Sequence, residues 1–175
     1  MKKTLLFFAT WCALTFPLWG GELRLDLFTS GGLVFRCASD AVYCASAGWM
    51  GEKGQERLCF HCPLSERWQK YSVTVLPKEN GKIQLEVLIS GKDRAVCADF
   101  AVVGAQMTNG SLTGFNSQGG YSGWSLKIPQ MVKGGGPDGK NAFSVDSQEQ
   151  RAGAMILNAE KGKLVTVTFS VVKKP

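Results

Sequence analysis

Apolar and polar residues alternate one by one in several short stretches of this chain, and this period of two constrains the fold more than any other feature. The clearest stretches are residues 22–27, 69–75, 82–89 and 164–172. A period of two puts every second side chain on the same face of an extended strand, so one face is apolar and the other polar. The sequence therefore predicts an all-β protein of about nine or ten short strands.

Composition supports a globular domain. Hydrophobic residues make up 45% of the chain, enough to bury a core, and charged residues make up 19%, too few for a coiled coil. The chain has 175 residues, of which 21 are glycines. This length bounds it to one domain or two small ones, and glycine favours turns over helices. We expect a two-sheet antiparallel β-sandwich of the jelly-roll kind.

The N-terminus has the pattern of a secretory signal. Lys2 and Lys3 precede an apolar stretch at 5–18, which ends in the small pair Gly20 and Gly21. We predict cleavage after Gly20, which leaves residues 21–175 as a single exported domain in the cell envelope or outside the cell, with no membrane span. A retained N-terminal anchor is the alternative.

Export also bears on charge. Loss of the two N-terminal lysines lowers the formal net charge from +6 to +4. The remaining Lys and Arg residues are scattered and form no basic stripe, so no nucleic-acid partner is predicted.

Residues 69–75 and 82–89 form the strongest local pattern. Asn80 and Gly81 stand between these two alternating stretches and favour the positive-φ positions of a tight turn. The sequence predicts an antiparallel hairpin here.

Five cysteines follow the predicted signal, and four of them lie close together in sequence: Cys37, Cys44, Cys59 and Cys62. In an oxidising compartment these four are disulfide candidates, with Cys37 or Cys44 joined to Cys59 or Cys62. The odd number leaves one thiol over. Cys59 and Cys62 also form a Cys-x-x-Cys motif. Besides a structural disulfide, such a motif can be a redox pair or half of a zinc site.

Several segments resemble a jelly-roll carbohydrate-binding module of the galactose-binding-domain-like type. Segments similar to its C-terminal half are WQKYSVTV (68–75), NGKIQL (80–85) and ADFAV (98–102). Segments similar to its N-terminal half are NGSL (109–112), GW (123–124), GKNAFSV (139–145) and GKLVTVTF (162–169). The halves stand in permuted order. The resemblance implies one circularly permuted sandwich with its first and last strands as neighbours, or a fragment of two tandem modules.

Carbohydrate binding requires exposed aromatic faces that stack on sugar rings. Tyr43, Trp49 and Tyr121 lie in glycine-rich stretches and are the candidate ligand-binding residues, whereas the resemblance puts structural aromatics at Trp68 and Trp124 and so implies that both are buried. The resemblance further implies a structural calcium ion, for which Asp99 is the candidate ligand.

Catalytic motifs are missing from the sequence. His61 is the single histidine, and no nucleophile elbow or histidine metal motif occurs. We therefore expect a non-catalytic, exported carbohydrate-binding module. The alternative is a structural or adhesive envelope protein with a protein partner and no sugar site.

Overall fold

The computed structural model describes residues 22–45, 56–90, 93–117, 120–127, 130–146 and 150–174. The predicted signal peptide (1–20) and Trp49 lie outside these ranges. The described strands are β1 (Glu22–Thr29), β2 (Leu33–Ala38), β3 (Val42–Ala45), β4 (Glu56–Pro63), β5 (Gln69–Pro77), β6 (Gly81–Ser90), β7 (Ala95–Val103), β8 (Gln106–Met107), β9 (Trp124–Lys127), β10 (Gln130–Val132), β11 (Ala142–Val145), β12 (Arg151–Ala159) and β13 (Val165–Lys173).

These strands form two antiparallel sheets, which confirms the predicted β-sandwich. Sheet 1 has the strand order β3-β4-β1-β6-β12-β8, and β9 also pairs with β12. Sheet 2 has the order β10-β11-β7-β13-β5-β2. Most consecutive strands cross from one sheet to the other, so the core is closed by contacts between residues distant in sequence.

The alternating residues supply the core. Leu23, Leu25 and Leu27 of β1 have no exposed surface, and neither do Val167 and Phe169 of β13. Burying a large apolar side chain stabilises the fold by roughly 1.5–3 kcal/mol. The two apolar faces therefore meet between the sheets, as the period of two predicts.

An aromatic cluster fills one part of the core. The ring of Phe100 lies 4.8 Å from Trp124, 5.6 Å from Phe143 and 5.4 Å from Phe169, measured between centroids. The indole Nε1 of Trp124 donates to the carbonyl of Asn109 at 3.1 Å. Trp124 is buried, as expected, and Trp68 is partly buried against a small cluster on the outside of sheet 2.

The predicted hairpin is wrong. β5 pairs with β2 and β13 in sheet 2, whereas β6 pairs with β1 and β12 in sheet 1. The connection therefore arches between the sheets. Asn80 holds it through its side-chain oxygen, which accepts a hydrogen bond from the backbone of Lys161 at 2.7 Å, and Gly162 donates to the carbonyl of Pro77 at 3.0 Å.

The first and last strands are not neighbours in one sheet, contrary to expectation. β1 is flanked by β4 and β6 in sheet 1, and β13 is flanked by β5 and β7 in sheet 2. Both edges of each strand are thus occupied by other partners, and neither can pair with the other.

Two thiols are part of the core. Cys62 on β4 and Cys97 on β7 have no exposed surface. Burial, and secondarily the charge of Glu22, raises the pKa of Cys62 to about 12. Burial also raises the pKa of Cys97. Both thiols therefore stay protonated in the folded protein.

Stability should fall at alkaline pH because of Cys62. The unfolded chain releases the Cys62 proton near pH ~8.5, whereas the folded protein releases it only at about pH 12. The contribution of the protonated Cys62 thiol to the free energy of unfolding is therefore complete below about pH 8.5 and is lost as the pH rises towards 12. We expect Cys62→Ala to reduce the loss of unfolding free energy by up to about 1.4 kcal/mol per pH unit in this window. Urea denaturation over a pH series measures it. Cys37→Ala, at an exposed thiol, is the control and should keep the parental slope.

Candidate functional site

The outer face of sheet 1 carries a network of charged side chains. On β1 the side chains between the core leucines point to this face, and neighbouring strands add to it. We call this set the charged network: Glu22, Arg24, Asp26, Arg57, His61, Glu86 and Arg151.

Asp26 is the centre of the network and has no exposed surface. Arg24 binds it with two nitrogens, Nε to Oδ1 at 2.7 Å and Nη2 to Oδ2 at 2.8 Å. Arg57 adds Nη1 to Oδ2 at 2.8 Å. The hydrogen bond to Asp26 is the largest cause of the raised pKa of Arg24. A buried carboxylate is tolerated only with such partners, so these three residues form one unit.

The network extends across the sheet from Asp26. Arg57 Nη1 lies 3.5 Å from Glu86 Oε2, and Arg151 Nη1 lies 3.9 Å from the same oxygen. The guanidinium of Arg57 also lies 4.2 Å from the ring centre of Phe28, the residue directly opposite it on β1. Arg57 is thereby held by a carboxylate on either side and by an aromatic ring.

A depression adjoins the network on the same face. Its volume is about 230 Å³, and its lining residues are Gln84, Gly123, Ser125, Gly153, Ala154 and Met155. Gly153 lies directly opposite Glu86 in the pairing of β12 with β6. The acidic end of the network therefore borders the depression.

Gly153 is not required by packing. A Cβ atom built on it would come no closer than 3.6 Å to its nearest neighbour, the carbonyl oxygen of Leu85. Glycine inside a strand costs roughly 0.5–1 kcal/mol relative to alanine and often marks a position that another molecule approaches closely. Its presence here keeps the floor of the depression open.

A second depression, of about 370 Å³, lies at the arch between β5 and β6 and includes Asn80, Asn158 and Glu160. The polar groups of these side chains already have hydrogen-bond or ion-pair partners in the adjoining turns and strands. Asn80 accepts from Lys161, Asn158 donates to Gln106 at 2.9 Å, and Glu160 pairs with Lys163. Their polar groups serve the local fold, which makes this depression the weaker candidate.

Of the three aromatic residues predicted to bind ligand, the structure describes the side chain of Tyr121 and the strand position of Tyr43. Tyr121 does not present the exposed ring that was predicted, because it is fully buried and its hydroxyl donates to the carbonyl of Ala142 at 2.8 Å. Tyr43 lies in β3 and not in a loop, and Trp49 lies outside the described residues. Phe115, which the sequence analysis missed, is 46% exposed and packs against the ring of Tyr121 at 5.4 Å.

Asp99 gives little support to a calcium site. Its carboxylate lies 3.0 Å from the amine of Lys140. It stands at the irregularity in the pairing of β7 with β13, with a positive φ of 55°. No group of three or more His, Cys, Asp or Glu residues within the described ranges is arranged to hold a metal ion. Calcium requires several oxygen ligands, whereas Asp99 is a single carboxylate that is already paired with a lysine.

The two cysteines of the Cys-x-x-Cys motif lie on opposite faces of β4 and do not contact each other. Cys62 points into the core, whereas Cys59 is on the outer face, where its sulfur accepts a hydrogen bond from Arg24. Positions three apart in a strand face opposite ways. The redox and zinc hypotheses for this motif are therefore wrong. No disulfide joins Cys37, Cys62 or Cys97.

Comparison with known protein families, characterised proteins and solved structures gives no match. The parts of the chain that the structure describes contain no helix long and apolar enough to span a bilayer. The case for function therefore depends on the site alone.

Asp26→Asn should destabilise the protein. The substitution leaves two guanidinium groups beside a neutral amide in a buried position, so we expect the free energy of unfolding to fall by roughly 3 kcal/mol. Equilibrium urea denaturation at neutral pH measures the change. Glu160→Gln breaks an ion pair whose side chains are more than half exposed and should cost less than about 1 kcal/mol. Equal effects of the two substitutions would contradict a structural role for Asp26.

Proposed function

We propose that this protein is a non-catalytic carbohydrate-binding module and that it binds a glycan at the Gly153 depression on the outer face of sheet 1. The observation that carries the proposal is the juxtaposition of an open, glycine-floored depression with the Glu86 end of the charged network. Glycan recognition combines apolar contact with a few fixed polar groups.

The lining offers both kinds of contact. Gln84 and Ser125 supply an amide and a hydroxyl, groups that donate to and accept from sugar hydroxyls. Met155 is 42% exposed and supplies a polarisable apolar surface for the C–H face of a ring. At about 230 Å³ the depression is smaller than pockets for drug-sized ligands, which span about 300–1,000 Å³. It suits a small unit of a larger glycan.

Fixed polar groups favour binding over catalysis. Glycosidases need two carboxylates that both reach the scissile bond. Both oxygens of Asp26 are occupied by guanidinium nitrogens, and its side chain has no exposed surface. Among the residues that the structure describes, Glu86 is the carboxylate beside the depression, itself near Arg57 and Arg151. Such a site can orient hydroxyl groups, and none of the described residues that line the depression is a second carboxylate for acid and base catalysis.

The predicted export places this module outside the cytoplasm, in the cell envelope or beyond it, where glycans are abundant. The competing proposal is a structural or adhesive envelope protein that binds another protein. It predicts that no glycan binds and that changes at Gly153 are silent.

Filling the depression should abolish glycan binding. Gly153→Val adds an isopropyl group to the floor, where there is room for the Cβ atom, so we expect the fold to persist and the affinity for a glycan to fall at least tenfold, equivalent to about 1.4 kcal/mol. A glycan array identifies the ligand, and calorimetry on that ligand measures the affinity.

Ala101→Val is the matched control, because it enlarges an exposed strand residue on sheet 2 and should leave binding unchanged. Trp49→Ala in the same assay tests the predicted aromatic platform. Binding that survives Gly153→Val but is lost in Trp49→Ala would move the site away from the depression. A protein that binds no glycan on the array would favour the envelope alternative.

A further inference from the structure

Two cysteines stand directly opposite each other at one end of sheet 1. In the antiparallel pairing of β3 with β4, Cys44 is the register partner of Cys59. Opposite residues of an antiparallel pair share a face of the sheet, with Cβ atoms about 4.5–5.5 Å apart. Disulfides need Cβ atoms about 3.5–4.5 Å apart, a range that meets the spacing of directly opposite residues at about 4.5 Å.

The other cysteines do not compete for Cys59. Cys62 and Cys97 have side chains in the core, on the far side of sheet 1 from Cys59. Cys37 is exposed and belongs to β2 in sheet 2. The pairing of strands therefore selects one partner from the several that the sequence left open.

Cys59 is nearly buried, with 3% of its surface exposed, and its sulfur has a charged neighbour. Arg24 Nη2 lies 3.2 Å from its sulfur, and Arg24 is itself fixed by two hydrogen bonds to Asp26. The charged network thus extends to the sulfur of Cys59.

We propose that Cys44 and Cys59 are oxidised to a cross-strand disulfide after export. With a low-molecular-weight disulfide as oxidant, the thiolate of one of the two cysteines attacks one sulfur of the oxidant, a mixed disulfide forms and one small thiolate leaves. The other cysteine then loses its proton and attacks the protein sulfur of the mixed disulfide, and the second small thiolate leaves. Two protein thiols are oxidised while one small disulfide is reduced to two thiols.

This bond closes the connection between β3 and β4 and fastens β3, the edge strand of sheet 1, to its neighbour. Closing a loop of this length restricts the unfolded chain and should raise the melting temperature by about 5–10 °C.

Peptide mapping tests the proposal directly. The full chain, exported to an oxidising compartment or treated with oxidised glutathione, is blocked with N-ethylmaleimide and digested with chymotrypsin without reduction. Cleavage after Phe35, Tyr43, Trp49 and Phe60 places Cys37, Cys44, Cys59 and Cys62 on four different peptides. We expect one linked pair containing Cys44 and Cys59, lost on reduction, and a maleimide on Cys37.

Variants separate the bond from other effects. Cys44→Ser should remove the linked pair, lower the melting temperature to that of the reduced parent and leave Cys59 open to maleimide after unfolding. Cys37→Ser is the matched control and should change neither the linked pair nor the melting temperature. Maleimide on both Cys44 and Cys59 of the oxidised protein, or a link from Cys59 to any other cysteine, would overturn the proposal.

Discussion

A carboxylate without any exposed surface, placed on the outer face of a sheet, is the constraint on which both proposed sites depend. Asp26 would be strongly destabilising there if it were unpaired, because its charge is removed from water. Arg24 and Arg57 satisfy it from two directions, and in doing so each is held where it also reaches something else. Arg24 reaches the sulfur of Cys59, and Arg57 reaches Glu86 beside the depression. The chemistry of this face thus follows from one buried charge.

The strands and the core could be predicted because periodicity is a local property. Val167 and Phe169 are separated by a threonine in the sequence and both lie in the core, as any extended strand with one apolar face requires. The pairing of strands is not local. Asn80 and Gly81 favour a tight turn, but whether that turn joins one sheet or two depends on residues far along the chain. Here Lys161 donates to Asn80, and this contact supports the arch between the sheets.

The candidate site was harder to predict from sequence, for two physical reasons. Arg24 and Asp26 occupy the polar positions of an alternating strand, and alternation does not distinguish a solvated polar face from a bonded one. Tyr121 lies among small residues that predict an exposed loop, yet its ring fills the core because the loop folds back. The sequence alone could have predicted that the side chains of Cys59 and Cys62 lie on opposite faces of a strand, since residues three apart in any strand face opposite ways.

One row of paired residues links the two ends of the outer face of sheet 1. Across neighbouring strands the register runs Cys44, Cys59, Asp26, Glu86, Gly153 and Ser125. Ionic contacts follow this row from Arg24 through Asp26 and Arg57 to Glu86, so the edge fixed by the proposed disulfide and the wall of the depression share the same partners. Because Arg24 contacts both Cys59 and Asp26, a bond formed at Cys59 would reduce the freedom of the guanidinium that neutralises Asp26.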